Sequence, residues 1–163
     1  MTVTAAGITS ADRSHLERTV ALAWEARNRG DHPFGSLLVT ADGQVLEARN
    51  SVVTDGNPTG HAETNLVRLA GTLDLATRIT STLSTPSTEP CAMCAGAIYW
   101  SGIGRVVFAL SEVALAEMVE EEEGAPPLHL PCREVFFRGG RAIVVDGPVD
   151  LASSTEVHQG FWI

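Results

Sequence analysis

The sequence contains no lysine; all eleven of its basic residues are arginine. Schiff-base chemistry and a Walker-type phosphate loop both need a lysine amine, so neither is open to this chain. Positive charge is also scarce, with twenty acids against those eleven arginines and a net charge of −9. A surface that tracks a phosphate backbone needs the opposite balance, which disfavours a nucleic-acid partner. With only three cysteines, a disulfide framework is excluded, and the thiols read as free groups or metal ligands. No apolar run is long enough to span a bilayer, and the stretch Met1 to Ala11 lacks a basic segment followed by an apolar one. Neither a membrane helix nor a secretory signal is therefore expected, and the expected compartment is the cytoplasm.

What is present is ordinary for a globular protein: 163 residues, 44% hydrophobic and 19% charged. That length predicts a single domain over residues 1–163, large enough to bury about two-thirds of its surface. Residues 1–9 read as a loose leader and 150–163 as a C-terminal closing segment. From Ser10 to Arg29, Leu16, Val20, Ala23 and Trp24 recur at helical spacing, and Gly30 supplies a stop. Phe34 to Thr40 and Gln44 to Arg49 are extended runs joined by Ala41-Asp42-Gly43, a hairpin pattern. After the polar loop Ser51 to Gly60, His61 to Leu69 reads as a helix. The Ser/Thr-rich run Ile79 to Thr88 reads as a strand, although Pro86 within it predicts a bulge or an early end. A helix follows from Pro90-Cys91 to Ser101, with a stop at Gly102. Arg105 to Leu110 is a strand, Glu112 to Val119 a helix, Glu120 to Glu123 a solvated acidic loop, and Ala142 to Val145 a last strand. Strands alternating with helices predict an α/β fold, with helices on both faces of the sheet. The segment between Leu110 and Ala142 is long enough for a crossover, so the last two strands are expected to be parallel.

The chemistry concentrates in His61-Ala62-Glu63 and, 27 residues later, Pro90-Cys91-Ala92-Met93-Cys94. Cysteines three apart at a helix start present both sulfurs on one side, where the helix dipole favours thiolates. An imidazole from His61 completes a donor set suited to zinc, one ion per chain. Three protein ligands leave a fourth position open, the arrangement of a catalytic zinc. Glu63, two residues from His61, can take a proton from water and return it to a ring nitrogen and a leaving amine. A structural zinc, a pair of buried thiols and a redox dithiol are the competing readings of Cys-x-x-Cys alone. The redox motif ordinarily follows a strand and needs no His-x-Glu.

With these motifs the chain resembles the cytidine deaminase-like superfamily. The resemblance rests on Pro33-Phe34-Gly35, Asn50, Pro58-Thr59-Gly60-His61-Ala62-Glu63, Thr88-Glu89-Pro90-Cys91-Ala92-Met93-Cys94-Ala95-Gly96-Ala97 and Gly104-Arg105-Val106-Val107-Phe108. It implies a three-layer α/β/α fold with a five-stranded mixed sheet, a likeness to dimeric or tetrameric proteins that makes a homodimer the expectation, and hydrolytic release of ammonia. Gly60 stands where similar chains commonly have alanine, a departure that removes no ligand. Ala95 to Trp100 resembles guanine deaminases, and Ser101 to Phe108 resembles bacterial tRNA adenosine deaminases. The tail ending Phe161-Trp162 is similar to the aromatic closing segments of free-base deaminases for guanine and cytosine.

A free base is small and flat, and aromatic side chains can close over it, whereas a tRNA loop needs an open, basic approach. The acidic balance therefore favours a free nucleobase or related amino heterocycle, guanine-like, cytosine-like or a triazine. A tRNA adenosine deaminase is the alternative, and a non-catalytic binding module stapled by zinc is the alternative of another class. The resemblance assigns substrate contacts to Asn50 through its amide and to the Ala62 backbone N–H. Phe34, Trp100, Phe161 and Trp162 are further candidates for packing on the base, with core filling as their ordinary role. Glu156, the acid nearest the tail aromatics, is a candidate proton shuttle, and His158 a candidate substrate contact. His15, His32 and His129 look unremarkable, and Cys132 reads as a buried structural thiol.

Overall fold

The computed structural model describes residues 7–85, 88–119 and 128–162. The elements are α1 (Ser10–Asn28), β1 (Gly35–Val39), β2 (Val45–Arg49), α2 (Ala62–Ala70), α3 (Leu75–Ile79), β3 (Thr82–Thr85), α4 (Ala92–Ser101), β4 (Arg105–Phe108), α5 (Glu112–Met118), α6 (Cys132–Phe137), β5 (Val144–Asp146) and α7 (Ala152–Glu156). The strands form one mixed sheet in the order β2-β1-β3-β4-β5. The hairpin β1–β2 is antiparallel and β1 pairs antiparallel with β3, while β3–β4 and β4–β5 are parallel. The expected mixed sheet and its parallel last pair are both present.

Side-chain alternation sorts the residues of this sheet. Leu46, Leu38, Leu83, Val106 and Val145 face one another in register across all five strands. This row meets Leu66 and Ala70 of α2, Ala95 and Ile98 of α4, and Cys132 and Phe136 of α6 in the main core. Full burial of Leu38, Leu83, Val106 and Val145 contributes about 1.5–3 kcal/mol each, and Leu46 at the edge is partly buried. The neighbouring row, Leu37, Ser84 and Val107, faces the other way, where Val107 packs with Leu16 of α1. Two positions along from the first row, Ser36 and Thr85 return to the α2 side.

Local chemistry sets the element ends. Thr9 and Asp12 form a reciprocal capping box on α1. Gly102 ends α4 in the left-handed conformation, φ 88°. The edge strand β2 is covered by charge: Arg18 grips Glu47 at 2.7 and 2.8 Å, and Arg49 pairs with Glu25. Among the described residues, the stretch Ile79 to Thr88 supplies a strand over Thr82–Thr85, and α3 occupies the residues up to Ile79. Residues 7–9, expected to be loose, are tied down: the Gly7 N–H donates to Asp146, and Arg105 donates to the Gly7 carbonyl. Pro86 and the acidic run Glu120 to Glu123 lie outside the described residues. Among the described residues, no helix is long and apolar enough to cross a membrane.

Gly35 shows why the run Pro33-Phe34-Gly35 needs its glycine. A Cβ there would stand 2.5 Å from Leu22 Cβ, 2.7 Å from the Thr19 carbonyl and 2.8 Å from the Ala23 nitrogen. Two of these are backbone atoms of α1, which cannot step aside without moving the helix off the sheet. Gly35→Ala is expected to destabilise by about 3 kcal/mol, with a melting temperature lower by roughly 10 °C. A thermal melt within about 2 °C of the parent would contradict this packing account.

Candidate active site

The antiparallel step between β1 and β3 brings the start of β1, the end of β2 and the C-terminal ends of β3 and β4 to one rim of the sheet. Helices α2 and α4 both begin at this rim. Their N-cap residues are His61 and Cys91, and neither side chain makes a capping hydrogen bond. Cys94 sits one turn into α4 and is fully buried. His61 Nδ1 lies 3.7 Å from Cys91 Sγ and 3.6 Å from Cys94 Sγ. The three donor atoms all fall within 4.8 Å of one another. Tetrahedral zinc, at bonds of about 2.3 Å to sulfur and about 2.0–2.1 Å to nitrogen, requires sulfur–nitrogen separations of about 3.6 Å. Donor chemistry and spacing both fit that ion.

Glu63, on the first turn of α2, is buried beside this cluster. Its Oε2 lies 3.4 Å from Cys94 Sγ, and its Oε1 lies 3.2 Å from the Thr85 hydroxyl. Thr85 reaches it because alternation along β3 turns this residue to the α2 side. The same hydroxyl is 3.1 Å from the Thr88 carbonyl, so its single proton serves one neighbour at a time. Burial pushes the Glu63 carboxyl above its ordinary pKa, against a lowering influence from His61. The hydrogen bond to Cys91 raises His61. Cys91 is pushed down to about 4, chiefly by its hydrogen bond with the Cys94 thiol. Cys94 is pushed up for the matching reason, together with burial.

Supporting residues that the sequence did not single out hold this arrangement. Asn65 Nδ2 donates to Arg49 O, Ser51 Oγ and Gly60 O, closing the loop that delivers His61. Buried Asp31 accepts the N–H groups of Val53 and Thr54 in the same loop. Glu89 is buried two residues before Cys91, its N–H bonded to Leu110 O and its Oε1 taking the Cys132 N–H at the start of α6. A glutamate just before Pro-Cys was the visible signal for that brace. At Gly60 a Cβ would lie 3.0 Å from both Asn57 O and Ser51 Oγ, so the departure from alanine matches a tight loop.

The candidate substrate residues divide. Asn50 is buried at the end of β2; its Oδ1 accepts the Val52 N–H, and its Nδ2 has no partner among the described residues. Its backbone N–H donates to the Phe34 carbonyl, which places Phe34 at the same rim. Ala62 is the first residue of α2, so its N–H is one of the donors a helix leaves unused. The Phe34 ring contacts His158 at 5.3 Å and Trp162 at 6.1 Å between centroids. Phe161 and Trp162 pack on each other and on His32, which is thus part of the tail contact. Arg27 of α1 anchors the tail through the carbonyls of Val157 and Gln159.

Two candidates fall elsewhere. Trp100 lies near the far end of α4 from Cys91, is 85% exposed, and lines a separate cavity with Val67, Gly71 and Arg78. Glu156 is exposed on α7, whereas His158, just beyond that helix, is buried. Cys132 is buried, as expected.

Burial, reinforced by the Arg27 guanidinium, pushes His158 down to about 4. An unfolded histidine titrates near 6.5, so the unfolded chain gains this proton first as pH falls. The stability held by neutral His158 is intact above about pH 6.5 and is lost as pH drops through about 4. Between pH 7 and pH 4 the parent should lose about 3 kcal/mol more than His158→Gln, measured by urea unfolding at each pH. Parallel pH profiles for the two proteins would contradict it. Asp12, held at about 2 against burial by its bonds to Arg105 and Thr9, acts in a lower window and does not blur the comparison.

Residues 9–110 match the family model described as the cytidine and deoxycytidylate deaminase zinc-binding region. A probable cytosine deaminase of Schizosaccharomyces pombe is 38% identical over 151 residues, spanning 93% of this chain and 92% of that protein. The solved guanine deaminase of Bacillus subtilis superposes with a TM-score of 0.59 at 32% identity, covering 76% of this chain and 85% of that one. A tRNA-specific adenosine deaminase of Buchnera aphidicola is 33% identical over 100 residues, 61% of this chain and 66% of that protein.

Proposed function

We propose, from the premise that this chain belongs to the cytidine and deoxycytidylate deaminase family and is a zinc-dependent hydrolytic deaminase, that its substrate is a free amino-substituted nucleobase, guanine-like or cytosine-like. The observation that carries this reading is the aromatic cover. Phe34 and Trp162 pack together, with His158 against Phe34, at the rim where α2 and α4 begin. A small planar base gains from such an enclosure, which excludes water and strengthens every polar contact inside. The net charge of −9 also opposes a tRNA approach.

His61, Cys91 and Cys94 are the residues that would hold the ion. When bound, zinc supplies Lewis-acid activation of a water molecule. Glu63 then does the proton work in this reading. Its carboxylate takes a proton from the water and passes it to the ring nitrogen beside the amino-bearing carbon. The water oxygen adds to that carbon, and Glu63 next carries the remaining hydroxyl proton to the amino group, so the C–N bond breaks, ammonia leaves and the carbon keeps the oxygen as a carbonyl. Thr85 holds Glu63 in place, Asn50 orients the base through its free amide, and the Ala62 N–H serves a ring carbonyl. Exposed Leu75, Ile79 and Trp100 support pairing of two copies away from this site.

An ammonia-release screen across guanine, cytosine, adenine, their nucleosides and triazines tests the reading. Turnover of guanine or cytosine is expected. Activity confined to tRNA, with tight tRNA binding at physiological salt, would overturn it in favour of the adenosine reading.

A further inference from the structure

Five buried side-chain polar atoms have no hydrogen-bond partner among the described residues: Ser36 Oγ, Asn50 Nδ2, Ser84 Oγ, Thr88 Oγ1 and His158 Nε2. Buried polar groups are ordinarily satisfied, so each calls for a reason. The three hydroxyls can each donate or accept, so they do not fix what a ligand must present. The other two do. Asn50 commits its Oδ1 to the Val52 N–H, which fixes Nδ2 as a donor. His158 commits its Nδ1 to the Trp162 Nε1–H at 3.2 Å, with the two rings only 15° from parallel. Indole nitrogen only donates, so Nδ1 must accept and the ring proton must sit on Nε2. Two fixed donors therefore remain, and both adjoin Phe34, one through its carbonyl and the other through its ring.

Resting on the free-base reading above, we propose that His158 is a specificity-determining substrate contact. Its Nε2–H, oriented by Trp162, donates to an acceptor atom on the base. The site thereby takes an amino heterocycle that shows acceptors on two edges, one toward Asn50 and one toward His158. A ring that turned an N–H toward His158 would set donor against donor and be rejected. Trp162 is the positioning residue, since it selects the tautomer without needing to touch the base. The depressed affinity of the buried imidazole for a second proton keeps this donor neutral at ordinary pH.

The test uses the zinc-loaded full chain with guanine and cytosine. His158→Phe is expected to lower kcat/KM about 30-fold on the base that is turned over, with zinc content unchanged. His158→Gln, whose amide N–H can replace the donor, should recover most of that loss. Nitrogen-15 spectra of labelled histidine should show the Nε2–H tautomer in the parent and a mixture in Trp162→Phe. In Glu63→Gln, adding the base should shift the His158 Nε2 resonance. If His158→Phe fails to fold, the glutamine variant and the spectra decide. An Nδ1–H tautomer in the parent, no shift on adding base, or His158→Phe within about twofold of the parent overturns the proposal. If the parent releases ammonia from neither base, the free-base reading fails and takes this inference with it. If it turns one over and His158→Phe matches it, this inference fails alone.

Discussion

Glu63→Gln is expected to retain about one zinc per chain and to lose turnover by about 10⁴-fold. The substitution keeps the side chain's size and its neighbours at Thr85 and Cys94 but removes the ability to carry a proton. It removes no ligand, because the three clustered donors are His61, Cys91 and Cys94. Elemental analysis and a thermal melt, run beside the ammonia assay, separate this outcome from simple damage. Near-normal ammonia release by a zinc-replete variant would remove Glu63 from the reaction.

The second large effect is at Cys94. Cys94→Ala leaves only His61 and Cys91 as donors, and two ligands hold zinc far less firmly than three. Zinc content well below one per chain is expected, with activity falling in proportion. The side chain is fully buried on α4, so its loss also opens a small hole. That cost is about 1 kcal/mol and should not by itself unfold the chain. Zinc near stoichiometric amounts should restore little, whereas the parent stripped by a chelator should regain activity when one equivalent is returned. A Cys94→Ala protein that purifies with stoichiometric zinc would refute the ligand assignment.

Much of this was legible in the sequence because it is local. The spacing of His61 with Glu63 and of Cys91 with Cys94, and the hairpin around Ala41-Asp42-Gly43, depend on residues within one turn of each other. Even the sheet direction followed from the length of the segment between Leu110 and Ala142. Other features depend on what lies opposite in space. Trp100 has the residue type of a base-stacking group, but helix α4 is long enough to carry it away from Cys91. Glu156 and His158 are two residues apart on a short helix and its end, and only packing against Phe34 and α1 settles which one is buried. Thr85 acts across space on α2, so no nearby residue announces it, whereas the motif shows Glu89 but not the start of α6 that it braces. The short helices α3 and α6 carry too few residues to show a period.

The placement of His61 and Cys91 at the first positions of two helices has a mechanical consequence. Neither side chain seals the exposed amides at its helix start, which leaves both free to hold an ion. A cation bound there would also be a clasp, joining chain segments some thirty residues apart. Withdrawing it should fray both helix starts at once, so that chemical competence and local rigidity vanish together.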